Sequence, residues 1–511
     1  MQILDCTLRD GGYYTNWDFN ASTVDAYIKA MNGLPIDYLE LGYRNNPLKE
    51  YNGKFGYCPL SVLKHIRANS KQKLAVMLNE KSTKPEDLQH LIGPLKGVVD
   101  MIRMAVDPKN LDRAAVLAEN VKEYGFEVAF NVMYMSKWEQ YEGLFEKLPK
   151  LNGVVKIFNM VDSYGSVSPD EVRAIIANLK KYLTCQIGFH GHNNLQLGLI
   201  NTLTAIDCGV DSVDATILGM GRGAGNLNME LLLTYLNKHA GLKVNFNELG
   251  HAIQAFAPLY EKYRWGTTLP YMISGANSIP QKDVMDWVQN RTYSFNSIVR
   301  ALDNRKDQKV DNARYPLLDV TKKYKQVLII GGGNSVQEHY EAIEEFLNNH
   351  TDTALIFPTA RHAGLFKLCN VPTFYCLVGD EGHRLTSTVG EKYYHGTCIL
   401  PPYPRTMGTE VPTYAEHSTY ELKEISFIDE LKDSVTTVSL QFALQITDGD
   451  VYCVGYDGYP GNVLSEKEVT LNHENNEIFN GYAKAKRMRL KSLTPSIYKA
   501  LEISSIYQLL G

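Results

Sequence analysis

Long apolar runs are missing from this chain. No stretch approaches the ~20 consecutive apolar residues of a membrane-spanning helix, so no membrane partner is expected. The opening residues, MQILDCTLRDGG, lack the apolar core of a secretory signal, and a cytoplasmic location is expected. A Lys/Arg-rich tract is also missing. With 52 basic and 57 acidic side chains the net charge is −5, which argues against nucleic acid as a partner. No CxxC pair occurs. The eight cysteines, from Cys6 to Cys453, are scattered through apolar contexts, a pattern of buried thiols rather than of a disulfide framework or a structural zinc site. What is present is an ordinary globular composition, 44% hydrophobic and 21% charged, on 511 residues, enough for two or three domains.

The first 240 residues alternate short apolar runs with amphipathic segments. Eight runs read as strands: QILDCTL, IDYLELGY, KLAVMLN, VDMIRMAV, EVAFNVMY, VVKIFNMVD, CQIGFHGH and SVDATILGM. Segments such as LDRAAVLAENVKEYG and SPDEVRAIIANLKKY read as the helices between them. Strand–helix repeats imply parallel pairing with right-handed crossovers. Eight units in this length predict an α/β fold, a TIM (β/α)8 barrel over residues 1–240, with its chemistry at the C-terminal ends of the strands.

Polar residues gather at those ends. Arg9 and Asp10 follow the first strand, Glu40 and Arg44 lie at the second, and Asn79 and Asn131 at the third and fifth. The sixth runs into Asp162-Ser163-Tyr164-Gly165, the seventh delivers His190 and His192, and the eighth leads to GMGRGAGN, ending at Asn226. Two histidines two residues apart on a strand share a face, so their rings lie side by side as one cation needs. Two His, one Asp and an Asn make a mixed N/O set with open positions. It suits a divalent metal, Mn²⁺ or Mg²⁺ first, with Co²⁺ or Zn²⁺ as alternatives.

Three motifs, LDCTLRDGG, HGHNN and GRGAGN, resemble signature elements of the DRE-TIM metallolyase superfamily. That group holds 4-hydroxy-2-oxovalerate aldolase, hydroxymethylglutaryl-CoA lyase, isopropylmalate synthase and homocitrate synthase, and the aldolase-like branch is the nearest in pattern. The resemblance covers roughly the first 300 residues. It implies metal ligation by Asp10, His190 and His192, with Asn226 as a further ligand. It implies that Arg9 stabilises an enolate oxygen and that Ser163 holds a substrate carboxylate. In the aldolases the base is a histidine two residues after the Gly of the RDG motif; here that position is Tyr13, so Tyr13 is the candidate for proton handling. The implied function is a metal-dependent aldolase, a carbon–carbon lyase acting on a 4-hydroxy-2-oxo acid, with a 2-oxo acid such as pyruvate and an aldehyde as partners. The alternative is an acyl-CoA-dependent condensing transferase of the isopropylmalate or homocitrate synthase kind. Its GERxGN motif appears here as GRGAGN, without the Glu.

Residues 241–302 read as a helical extension over the barrel mouth, with Tyr271 a candidate to reach the substrate. Residues 303–325 are charged and weakly patterned and are expected to be a linker. Residues 326–511 read as a Rossmann-like α/β domain. VLII runs into Gly331-Gly332-Gly333-Asn334-Ser335 and a helix, so Gly331, Gly332 and Gly333 are candidates for a nucleotide or phosphate site. TALIFPT, TFYCLVG and VYCVGYDG read as further strands, and LKSLTPSIYKALEISSIYQLLG as a terminal helix. GGGNS, VGDEGHR and VSLQFALQ with YCVGYDGY distantly resemble the Rossmann-like domains of bacterial sialyltransferases and of the DUF115-like family. That resemblance implies nucleotide or diphosphate handling, with Asp380 or Asp457 on a metal or ribose. A homo-oligomer is expected.

Overall fold

The computed structural model describes residues 1–511 except 290–292, 294, 312, 461–463, 487–489 and 511. Position 312 of the expected linker and the last residue of the expected terminal helix therefore lie outside the described residues. Two units divide the chain, Met1–Met285 and Asp286–Gly511.

In the first unit, eight parallel strands close into a barrel in sequence order: β1 (Gln2–Asp5), β2 (Tyr38–Tyr43), β3 (Lys73–Asn79), β4 (Met101–Val106), β5 (Glu127–Val132), β6 (Ile157–Asp162), β7 (Gln186–Gly191) and β8 (Ser212–Ala215). Pairing of β1 with β8 closes the ring. Alternate residues of each strand face inward. Leu4, Tyr38, Ala75, Met101, Ala129 and Ile157 pack as an apolar floor. Two positions further along, the character changes: Glu40, Arg103, Asn131 and Asn159 are all buried. His190 and Asp214, at the ends of β7 and β8, are buried as well. The polar layer therefore lies toward the C-terminal ends of the strands, where barrels of this class carry chemistry.

The first strand is shorter than its apolar run suggests. It stops at Asp5, and Thr7–Thr15 form a helix that carries Arg9 and Asp10. Asp5 enforces the turn by accepting from the Thr7 amide at 2.8 Å and the Thr7 hydroxyl at 3.0 Å, while the Tyr27 hydroxyl donates to the same carboxylate at 2.5 Å. Gly12 is dictated by close approach, since a Cβ there would lie 2.1 Å from the Trp17 ring. After the barrel come helices Phe246–Tyr263 and Leu269–Ala276. The helix Phe295–Lys306 belongs to the second unit.

The second unit is built on β9 (Gln326–Ile330), β10 (Thr353–Phe357), β11 (Thr373–Cys376), β12 (Thr397–Leu400), β13 (Thr419–Glu421), β14 (Asp450–Val454), β15 (Lys491–Ser492) and β16 (Glu502–Ile503). They form one parallel sheet in the order β13-β12-β11-β10-β9-β14-β15-β16. Along β9, Leu328 and Ile330 enter one core layer and Val327 and Ile329 the other. Burial on both faces is why VLII reads as an unbroken apolar run. The terminal-helix expectation for residues 490–511 is corrected. That stretch supplies β15, β16 and a short 3-10 turn, Ile506–Leu509, because Leu493 and Ile506 must reach one core layer and Leu490 and Leu501 the other. Within the charged stretch 303–325, Asp311 is buried and ion-paired to Arg405 at 2.7 Å.

Candidate active site

Six buried side chains from five parts of the barrel form a ring of charge contacts. Arg9 meets Asp10 through one guanidinium nitrogen and donates from Nε to Glu40 at 2.9 Å. Arg103 donates to the same Glu40 oxygen at 3.0 Å and to Asp214 at 2.6 Å. Asp214 also accepts from Nδ1 of His190 at 2.9 Å, and His190 Nε2 lies 3.6 Å from Asp10 Oδ2, closing the ring. Burial alone would raise the Asp214 pKa, but Arg103 and His190 hold it at about 2. Asp10 likewise resists its burial and lies below the usual carboxylate range, held there by Arg9 and the two histidines.

These contacts fix the histidine tautomers. The Nδ1 of His192 meets the carbonyl oxygen of Asp162 at 2.7 Å. A carbonyl only accepts, so Nδ1 carries the hydrogen and Nε2 keeps its lone pair. The carboxylate of Asp214 likewise accepts the Nδ1 hydrogen of His190 and turns its Nε2 toward Asp10. Burial, helped by neighbouring His190, pushes the His192 pKa down to about 3, so its ring stays neutral. The two ring centroids are 5.0 Å apart.

Asn226 completes the group. Leu227 N bonds Gly191 O at 3.2 Å and Asn193 N bonds Gly225 O at 2.9 Å, which pins the GRGAGN loop to the end of β7. The Asn226 amide nitrogen donates to Asp10 Oδ2 at 2.7 Å. Its amide oxygen is buried and accepts no hydrogen bond among the described residues. A buried acceptor left unpaired costs ~1–3 kcal/mol unless something fills it.

A divalent cation fits this donor set. Two imidazoles, a carboxylate and an unpaired amide oxygen are N/O ligands without a thiolate. The ring also sets three acidic side chains (Asp10, Glu40, Asp214) against two guanidiniums (Arg9, Arg103), an excess of acid groups that a buried cation would offset. Cys6 Sγ, a His190 ring nitrogen and an Asp214 oxygen also lie within 4.8 Å of one another. That trio is a poor ligand set. Asp214 is committed to Arg103 and to the far side of the His190 ring, and burial pushes the Cys6 thiol well above its ordinary pKa.

The remaining expected residues surround this group. Tyr13 is 3.3 Å, oxygen to oxygen, from the Tyr43 hydroxyl, and the Arg222 guanidinium lies 4.9 Å above the Tyr13 ring. Ser163 is buried after β6, and its oxygen accepts from the Tyr134 amide at 2.9 Å. Tyr271 is buried on the helix Leu269–Ala276. Its carbonyl accepts from Asn194 at 2.8 Å and its ring lies against Gly223, so it contacts the HGHNN and GRGAGN loops. Gly331, Gly332 and Gly333 lie in the second unit. There the amides of Gly331 and Gly333 are already spent on Val454 O and Gly455 O, each at 2.8 Å. A Cβ at either glycine would meet the β14 turn at 2.5 Å, so the glycines serve backbone packing. Sequence reasoning missed Arg103 and Asp214. Their signal was a charge in the middle of an apolar strand, in MIRMAV and SVDA.

Residues 99–254 match the HMGL-like family model. The 4-hydroxy-2-oxovalerate aldolase of Geobacillus thermodenitrificans is 32% identical over 247 residues, 47% of this chain and 70% of that protein. The oxaloacetate decarboxylase of Mycobacterium tuberculosis is 27% identical over 249 residues, 47% of this chain and 71% of that protein. A crystal structure of an N-terminal domain from Bacteroides vulgatus, described as that of a candidate aldolase, is 66% identical; the match covers 59% of this chain and 100% of that one, with a TM-score of 0.57.

Proposed function

The chain belongs, through its barrel, to the HMGL-like family of DRE-TIM enzymes, and from that premise we propose that it is a divalent-metal-dependent aldolase, making or breaking the C3–C4 bond of a 4-hydroxy-2-oxo acid. One observation carries the reading: His190 Nε2 faces an ionised Asp10 at 3.6 Å, the His192 ring lies beside it with Nδ1 committed to a carbonyl, and Asn226, bonded to the same carboxylate, keeps an unpaired amide oxygen. Asp10, His190, His192 and Asn226 would hold the cation, Mn²⁺ or Mg²⁺ first. When bound, such a cation supplies Lewis acidity to the keto and carboxylate oxygens of a 2-oxo acid.

The chain's own groups do the rest. Arg9, clamped by Glu40 and Asp10, sets a fixed positive charge where negative charge develops on the enolate oxygen. Ser163 uses its oxygen as acceptor for Tyr134, leaving its hydrogen to donate to the substrate carboxylate. In the cleavage direction the proton leaves the 4-hydroxyl, the C3–C4 electron pair moves toward the 2-oxo group and the aldehyde departs. Tyr13, hydrogen-bonded to Tyr43, relays that proton in place of the histidine of the aldolases, and a proton returned to C3 of the enolate completes pyruvate. Tyr271 braces the loops around the substrate.

The test is a substrate panel on the full chain reloaded with Mn²⁺. Pyruvate release from 4-hydroxy-2-oxo acids, slowed ~100-fold or more in Tyr13→Phe, is the expected result. Free thiol from pyruvate plus acetyl-CoA without aldehyde turnover would instead make it a condensing transferase. Faster loss of CO₂ from oxaloacetate than any aldol cleavage would make it a decarboxylase.

A further inference from the structure

A cavity of about 800 Å³ opens in the second unit at the C-terminal ends of its strands. Its walls include the segments that follow four neighbouring strands, with Asn334 after β9, Arg361 after β10, Arg384 after β11 and Tyr459 after β14, and the helix Glu466–Lys486 that carries Lys467. The sheet runs outward from β9 to β13 on one side and from β14 to β16 on the other, so its order reverses between β9 and β14. At that reversal the connections leave in opposite directions and the loops part. The crevice so formed is where open parallel sheets take ligands. Its volume is that of a site for a small organic molecule rather than for an ion.

Charge pairing identifies the ligand. Three acidic residues of the wall, Asp457, Glu381 and Asp380, have partners inside the unit, while the Glu338 side chain makes no ion pair or hydrogen bond among the described residues. Asp457 accepts from the Ser335 amide at 2.9 Å and from the Ser335 hydroxyl. Glu381 accepts from the Ala360 amide at 3.2 Å and pairs with Arg384 at 3.5 Å. Asp380 accepts from Asn296 at 3.3 Å and pairs with Arg300 at 3.6 Å. Two cations on the same wall have no such partner. Among the described residues neither Arg361 nor Lys467 makes an ion pair or a hydrogen bond, and the Arg361 stem lies beside Gly332, over the turn that follows β9. On the β14 side, Tyr459 is 37% exposed while its amide is fixed to Asn472 at 3.0 Å. Cations without counter-charges call for an anion, and an anchored, exposed aromatic ring offers a face on which a planar base stacks.

We infer that the second unit is a nucleotide-binding domain in its own right, with the phosphates held by Arg361 and Lys467 and the base stacked on Tyr459. The glycine turn is not the phosphate cradle, because the Gly331 and Gly333 amides are already used between strands. Side-chain cations take that role, which explains why no GxGxxG spacing is needed.

The test is calorimetric titration of the full chain with CMP, UDP, GDP and ADP, and with inorganic pyrophosphate. One nucleotide should saturate at one per chain and bind more tightly than pyrophosphate. Arg361→Ala and Lys467→Ala should each weaken it ~10-fold or more. Tyr459→Ala should weaken the nucleotide ~5-fold or more and leave pyrophosphate unchanged. Lys423→Ala, at an exposed position outside the cavity, should bind like the parent chain. Arg361 is exposed, so its variant should fold, and an unchanged melting temperature would verify that. The inference is overturned if no nucleotide saturates below the millimolar range, if pyrophosphate binds as tightly as the best nucleotide, or if the Arg361 and Lys467 variants bind as the parent does.

Discussion

The mouth of the barrel and the crevice of the second sheet both lie at C-terminal strand ends, yet they handle charge in opposite ways. In the barrel six buried side chains are tied into one ring, and Asn226, bonded to Asp10, keeps an amide oxygen without a partner. In the crevice Asp457 and Glu381 are tied down, and Arg361 and Lys467 are exposed cations without a partner among the described residues. The first arrangement suits the proposed cation and the second the proposed anion. What decides the difference is less the number of acids and bases than which of them already have partners.

The barrel side of that comparison breaks most readily at Arg103. It is fully buried between Glu40 and Asp214, so Arg103→Leu leaves two buried carboxylates facing each other without compensation. Denaturant unfolding should show a loss of ~3–5 kcal/mol. A loss under 1 kcal/mol would mean that the ring is not a unit. Asp214→Asn probes the same ring more gently. It removes the charge that orients the His190 ring while keeping the shape, and metal affinity should fall ~10–100-fold by titration. If Asp214 were itself a ligand, the stoichiometry would change and not only the affinity. On the crevice side Arg361→Ala should move unfolding stability by less than ~0.5 kcal/mol, because nothing in the folded chain relies on that charge. A larger loss would place Arg361 in the structure of the unit and sharpen the contrast less than claimed.

Much of this was legible in the sequence, and the illegible parts have physical causes. The eight barrel strands show because each alternates or runs apolar for at least four residues between helical segments. His190 and His192 show because an HxH at the end of an apolar strand is uncommon chemistry. Arg103 and Asp214 did not show as partners, because 111 residues separate them and only closure of the ring brings them together. The helix that carries Asp10 was hidden by Gly11-Gly12, which propensity reads against a helix and which the close approach of Trp17 and Met220 requires. β15 and β16 are two residues each, too short for any period, and only the sheet edge gives them shape. The glycine turn after β9 was read correctly as a strand–turn–helix, but sequence could not tell that two of its amides were already taken.

The central claim is that the barrel mouth is a divalent-metal site built on the two histidines. Calorimetric titration of the metal-stripped full chain with Mn²⁺, beside its His190→Ala variant, tests it most directly. The parent chain should bind one equivalent and the variant none, with melting temperatures showing both chains folded. Equal stoichiometry and affinity in the two chains, or no Mn²⁺ bound by either, would contradict it.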